Sequence, residues 1–148
     1  MLHDDITLKG RLDIVLTGPD GLIKDIKHVP NLVVTSGKEW VASRMAGTSS
    51  STMSHMAIGT SSTSPAAGNT TLGSEQARVS LTSTTVSDND VAFVATFAAG
   101  TPSSQQAIVE AGLFNAGTNG TMLCRTTFGT ITKGSSDSLT ITWTVTAS

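Results

Sequence analysis

The carboxyl-terminal segment from Ala107 to Ser148 constrains the fold more than any other part of the chain. Near its end, apolar residues alternate strictly with threonines: Leu139, Ile141, Trp143 and Val145 against Thr140, Thr142, Thr144 and Thr146. A period of two is typical of a strand with one buried face and one solvated face. The turn sequences TNG and KGSSDS separate this stretch from two earlier runs, AIVEAGLFNA and TMLCRTTFGTI. The segment therefore predicts three consecutive strands joined by two tight turns.

Composition places the chain among folded, β-rich proteins. Its 148 residues can bury a core without metal or disulfide support. Thr and Ser are the two most frequent residues, and Thr suits the solvated face of a strand. Hydrophobic residues make up 38% and the net charge is −2, which argues against disorder and against a basic nucleic-acid-binding surface. The sequence has no apolar run long enough to predict a membrane span, and its opening MLHDDITLKG lacks the apolar stretch of a secretory signal.

The amino-terminal part predicts an arm followed by a hairpin. Residues 1–10 are interpreted as an extended arm, and residues 11–148 as a single β-sandwich domain. Gly18-Pro19-Asp20-Gly21 is predicted to form a turn, because Pro presets φ and Gly accepts positive φ. A partner strand is predicted to follow this turn over residues 22–29. Pro30 is predicted to end that strand.

One short helix is predicted near residues 36–46. Ser36 and Glu39 have the spacing of a capping box, in which each side chain bonds the other residue's backbone N–H. Trp40 follows at helical spacing and is expected to pack against the edge of a sheet or the mouth of a barrel. Gly47 is predicted to end the helix.

The middle of the chain predicts further strands around a long loop. A strand is expected over residues 53–59, a surface loop over residues 60–75, and a strand pair over residues 78–86 and 91–98. The core is expected to hold the large aromatic side chains Trp40, Phe93, Phe97, Phe114, Phe128 and Trp143. The fold class predicted from these elements is all-β: an antiparallel, jelly-roll-like β-sandwich with one short α-helix.

No residue pattern points to catalysis, a cofactor or a metal site. The three histidines, His3, His28 and His55, lie far apart and lack the close spacing of zinc ligands. Glu110 stands in an otherwise apolar strand, where a structural ion pair or hydrogen bonds to the backbone are expected. The single cysteine, Cys124, alternates with Met122 and Phe128 and is interpreted as a small core residue. The chain is therefore predicted not to be an enzyme, and no small-molecule substrate is expected.

Three segments, in this order, carry a family resemblance: NLVVTSGKEWVASRMAG, HMAIGTSSTSPAAGNTTLGSE and EAGLFNAGTNGTMLCRTTFGTITKGSSDSLTITWTVT. Together they resemble a family of small virion structural proteins of tailed bacteriophages. The EAGLF-like motif is also similar to collar domains at the attachment end of phage tail fibres. Members of the family are capsid cement or decoration proteins and fibre-like virion components, so the resemblance implies adhesion between protein surfaces.

The resemblance implies a capsid decoration protein that binds the outer head surface and stabilises contacts between major capsid subunits. It implies synthesis in the host cytoplasm, a location on the capsid exterior, the major capsid protein as partner, and a homo-oligomer, with a trimer favoured. The predicted partner-binding residues form the amino-terminal arm: Leu2, His3, Asp4, Asp5, Ile6, Thr7 and Leu8. The alternative is a tail-fibre or head-fibre attachment or receptor-binding module, which would use exposed loops such as 60–75 and 100–106.

Overall fold

The structure, a computed structural model, describes residues 6–48 and 51–148. It contains nine strands and one helix within those ranges. In chain order they are β1 (Leu8–Thr17), β2 (Ile23–Val33), α1 (Thr35–Met45), β3 (His55–Gly59), β4 (Glu75–Ser80), β5 (Ser83–Ser87), β6 (Asp90–Phe97), β7 (Gln106–Phe114), β8 (Met122–Lys133) and β9 (Ser138–Ala147). No helix in the described part of the chain is long and apolar enough to cross a membrane.

All strand pairs are antiparallel and belong to one sheet with the order β4-β3-β7-β8-β2-β1-β9-β6-β5. The all-β class with one short helix is confirmed. The predicted sandwich is not shown, because the strands do not separate into two sheets. Strand β2 pairs with β1 over most of its length and then with β8 through Leu32 and Val33, so it joins the two halves.

The sheet curls so that its two edge strands, β4 and β5, come together where the chain passes from one to the other. The edge strands β4 and β5 are consecutive in sequence and are separated only by Leu81 and Thr82. The Leu81 N–H donates to the Ser54 carbonyl at 2.9 Å, and the Thr82 N–H donates to the Val94 carbonyl at 2.7 Å. The single strand predicted over residues 78–86 is therefore wrong: these residues form two strands that belong to opposite edges.

The three consecutive strands predicted for the carboxyl-terminal segment are confirmed as β7, β8 and β9, but they are not three neighbours in the sheet. Strands β7 and β8 form a hairpin, but β9 lies between β1 and β6 on the other half of the sheet. The alternation predicted for β9 is confirmed. Its four apolar side chains are buried, and the four intervening threonines are partly exposed.

The core consists of two clusters on opposite faces of the sheet, and the smaller one covers only the half that contains β3, β7 and β8. The larger cluster fills the inside of the curl and includes Phe93, Phe97 and Trp143. A smaller cluster on the other face comprises Val34, Ala57, Leu72, Phe114 and Met122. Trp40 and Phe128, which were also expected in the core, are only partly buried at its margin. Strand β3 is buried on both faces because Met56 and Ile58 join the larger cluster and Ala57 the smaller one.

Local predictions around the first hairpin and the helix hold in part. Gly21 has the expected positive φ of 83°, and its N–H donates to the Gly18 carbonyl at 3.0 Å. Pro30 does not end β2, since the strand continues to Val33.

The predicted capping box of the helix is wrong. Helix α1 begins at Thr35 and has no side-chain cap, and the Ser36 hydroxyl donates instead to the Met122 carbonyl at 3.0 Å. Gly47 follows α1 with a φ of 68° and is confirmed as a stop.

The turn between β8 and β9 is held by a buried carboxylate. Asp137 accepts hydrogen bonds from the Lys24 ammonium at 2.9 Å and from the Gly134 N–H at 2.8 Å. These two bonds, the Lys24 bond first, lower the pKa of Asp137 below its ordinary value. Lys133 donates to the carbonyl oxygens of Asp137 and Ala98, and its burial lowers the pKa of its ammonium.

Because the pKa of Asp137 is lower in the folded state than in the unfolded state, its carboxylate stabilises the fold above an unfolded pKa of about 3.9. That stabilisation is lost as the pH falls through the lower, folded value. Urea denaturation of wild type and Asp137→Asn should therefore show a constant difference in unfolding free energy above about pH 5. The difference should shrink as the pH falls below 4, with wild type the more stable protein throughout. Parallel pH profiles of the two proteins would contradict this assignment.

Candidate partner-binding surface

The amino-terminal arm is the part of the chain where partner-binding residues were predicted. Leu2, His3, Asp4 and Asp5 lie outside the described residues. Ile6 is 79% exposed, and Thr7 exchanges two backbone hydrogen bonds with Ser148, at 2.7 and 2.9 Å. Leu8 is the first residue of β1, where it pairs with Ala147 and packs against the core. Of the predicted residues that are described, Ile6 and Thr7 are thus exposed, and Ile6 is the large apolar side chain that is open to a partner.

An apolar groove runs beside Ile6 along the helix. We call it the α1 groove: it has a volume of about 450 Å³ and is lined by Ile6, Thr7, Leu8, Lys38, Val41, Ala42 and Met45. Met45 is 82% exposed, so, like Ile6, it presents an apolar side chain to solvent. Large exposed apolar side chains that lie side by side mark protein-binding surfaces more often than scattered ones do. The predicted partner-binding residues Ile6, Thr7 and Leu8 line one side of this groove, and the α1 residues on its other side were not predicted from the sequence.

A second cavity, which we call the edge cavity, adjoins the α1 groove and shares Leu8 and Val41 with it. It has a volume of about 390 Å³ and lies between α1 and strands β1, β5, β6, β8 and β9. Its lining is mainly apolar and includes Trp40, Met53 and Phe93, while Thr52, Thr84 and Asn89 supply its polar groups. No lining residue is charged. The Trp40 indole N–H donates to the Ser51 carbonyl at 2.7 Å, which fixes the ring at the cavity.

The loop over residues 60–75 is held down by a fully buried carboxylate. Glu110 on β7 is completely buried and accepts backbone N–H hydrogen bonds from Ser61 at 3.0 Å, Gly73 at 2.8 Å and Ser74 at 2.8 Å. The Arg125 guanidinium on β8 donates to the same carboxylate at 3.0 and 3.2 Å. The structural role predicted for Glu110, an ion pair or hydrogen bonds to the backbone, is confirmed in both forms.

Arg125 extends this anchoring to the middle of the loop. Its guanidinium donates to the Thr63 carbonyl at 2.9 Å and to the Asn69 side-chain oxygen at 3.1 Å. Asn69 in turn accepts the Ala66 N–H at 2.8 Å. Leu72, near the end of the loop, is 6% exposed and belongs to the smaller core cluster. The loop is therefore a fixed surface, anchored at both ends and at its centre.

The cysteine of the chain, Cys124, is buried in the core. Burial raises the pKa of the Cys124 thiol to about 12, so the thiolate that would act as a nucleophile does not form at neutral pH. Cys124 lies in the larger core cluster, as predicted, but Met122 does not share its face. Leu113 pairs with Cys124 and Phe114 with Met122, so an irregularity at Leu123 turns Met122 toward the smaller cluster.

Within residues 6–48 and 51–148, no group of three or more His, Cys, Asp or Glu side chains could hold a metal ion.

Comparison of the chain with known protein families, with curated proteins and with solved structures finds no match.

Proposed function

We propose that the chain is a virion structural protein of a tailed bacteriophage that decorates the outside of the capsid. In this role it binds the major capsid protein, bridges adjacent subunits, and is carried as a homotrimer on the head exterior after synthesis in the host cytoplasm. The three sequence segments that resemble virion structural proteins support the proposal. The protein acts by adhesion, not by catalysis.

The observation that carries the proposal is the α1 groove. Ile6 and Met45, which are 79% and 82% exposed, flank an apolar surface that a capsid subunit can cover. Burying a large aliphatic side chain contributes about 1.5–3 kcal/mol, so a few such contacts repeated over a lattice produce firm attachment. Because only the assembled shell offers every binding site, attachment also stabilises the shell by linkage.

Cryo-electron microscopy of the phage particle that contains the protein tests the location. The proposal expects regular copies over the head surface. Copies restricted to the tail or to fibres would overturn it and favour the attachment or receptor-binding alternative. The rigid loop over residues 60–75 supports that alternative, because its anchoring by Glu110 and Arg125 gives a preorganised binding surface.

A binding assay tests the surface. The double variant Ile6→Ser/Met45→Ser should bind particles stripped of the protein at least about tenfold more weakly than wild type, with an unchanged melting temperature. The matched control is Leu22→Ser, since Leu22 is 67% exposed and lies in the turn between β1 and β2. Equal binding by all three proteins would exclude the α1 groove as the capsid contact. Substitution is preferred to deletion of the arm, because removing Leu8 would also remove a β1–β9 pair.

A further inference from the structure

Strand β5 is an edge strand without the usual protection against pairing. Among the described residues it pairs only with β6, without any irregularity in register. All five of its residues, Ser83 to Ser87, are exposed, and none is charged or proline. Natural edge strands are commonly guarded by charges, prolines or bulges. The opposite edge strand, β4, has such a guard in the ion pair of Glu75 and Arg78 at 2.7 Å.

The outer side of β5 therefore offers hydrogen bonds to an extended backbone. In an antiparallel ladder, every second residue of an edge strand directs its N–H and C=O away from its neighbour. In the free protein those groups are open to water, and an extended segment that lies alongside β5 can pair with all of them in register. The chemistry of this edge thus specifies a polypeptide strand as its ligand.

The edge cavity lies on one face of this same strand. Thr84 pairs with Phe93, and Val86 pairs with Val91. Directly opposed residues share a face of the sheet, so Thr84 and Val86 are on the side of Phe93 and Val91, which line the cavity. Thr84 itself lines the cavity, and Val86 is 70% exposed beside it. A strand added to β5 would direct every second side chain toward this apolar, uncharged space.

We infer that the β5 edge and the edge cavity form one binding site for an extended segment of a partner protein. The segment adds to the sheet beside β5 and inserts uncharged apolar side chains, spaced two residues apart, into the edge cavity. Main-chain hydrogen bonds supply affinity in this mode, and the cavity supplies specificity. A volume of about 390 Å³ lies within the range of pockets that hold ligands. The inference does not depend on the capsid assignment.

Peptide selection on the full-length protein tests the inference without knowledge of the natural partner. A library of random eight-residue peptides is selected on the immobilised chain, and enriched peptides are synthesised with blocked ends for calorimetry. The expected peptides have apolar residues at alternate positions. N-methylation at every backbone nitrogen in turn should abolish binding at one alternate set of positions and leave the other set nearly unaffected. Uniform tolerance of N-methylation, or failure to enrich any binding peptide, would overturn the inference.

Two lysine variants on adjacent residues of β5 provide the matched comparison. Thr84→Lys places an ammonium group at the uncharged cavity and should weaken peptide binding at least about tenfold, since an unpaired charge would be desolvated there. Thr85→Lys lies one residue away on the opposite face and should change affinity less than about threefold. Both residues are exposed, so both variants should fold like wild type. Equal effects of the two variants would overturn the inference, as would a dimer of the wild-type chain that both variants dissociate.

Discussion

Glu110→Gln should lower the free energy of unfolding by about 3–5 kcal/mol, the cost of breaking a buried ion pair from one side. Glu110 is fully buried, and the Arg125 side chain is 2% exposed, so the variant leaves a guanidinium uncompensated in the interior. The amide also has only one acceptor oxygen where the carboxylate has two, and three backbone N–H groups converge on that carboxylate. Urea denaturation followed by circular dichroism would measure the loss, which corresponds to roughly 10 °C or more in melting temperature.

The matched control for this prediction is Glu75→Gln. Glu75 also pairs with an arginine, Arg78, at 2.7 Å, but its side chain is 36% exposed. An exposed ion pair contributes about 1 kcal/mol or less, so the control should cost far less than Glu110→Gln. If the two variants were equally stable, the anchoring role of Glu110 would be refuted. Limited proteolysis adds a local readout, because loss of the anchor should expose the loop over residues 60–75 to cleavage before the domain unfolds.

The sequence was sufficient to predict the role of Glu110 but not the identity of its partner. A carboxylate in an apolar strand must be neutralised or hydrogen-bonded, and that requirement can be recognised from one residue and its neighbours. Arg125 lies across the β7–β8 hairpin, where irregularities at two points change which residues face each other. Its contacts to Thr63 and Asn69 span more than fifty residues of sequence. Such a network depends on register and loop path, neither of which is encoded in local periodicity.

The same dependence on pairing between distant residues explains which features of the fold could be predicted from the sequence. The faces of β9 were predictable because burial alternates with a period of two along a single strand. Its neighbours were not, since β9 pairs with β1 and β6, which lie far away in sequence. The break between β4 and β5 at Leu81 and Thr82 was not predicted for a related reason. The residues from 78 to 86 have a continuous strand-like pattern, although the chain passes there from one edge of the sheet to the other. The helix was located within one residue at each end, but its expected cap was replaced by contacts with β8.

Gly37→Ala should destabilise the protein by about 1–3 kcal/mol, the usual cost of overpacking, although alanine is the better helix former by about 1 kcal/mol. Gly37 is the buried residue of α1, and a Cβ at this position would lie 2.9 Å from the Cα and carbonyl carbon of Leu123 and closer still to its oxygen. Those are backbone atoms of β8, so no side-chain rotation can relieve the contact. The Val34 N–H donates to the same Leu123 carbonyl at 3.1 Å, which holds the start of α1 against the strand.

The consequence of this close approach extends to both cavities, because α1 supplies Val41 to each of them. A helix displaced by an alanine at position 37 should therefore weaken attachment through the α1 groove as well as global stability. The control is Gly68→Ala, at a glycine with no atom within 4 Å of the added Cβ, which should leave the unfolding free energy within about 0.5 kcal/mol of wild type. Thermal melts of the three proteins decide the matter: a Gly37→Ala variant at least as stable as wild type would show that α1 does not rest on the β8 backbone.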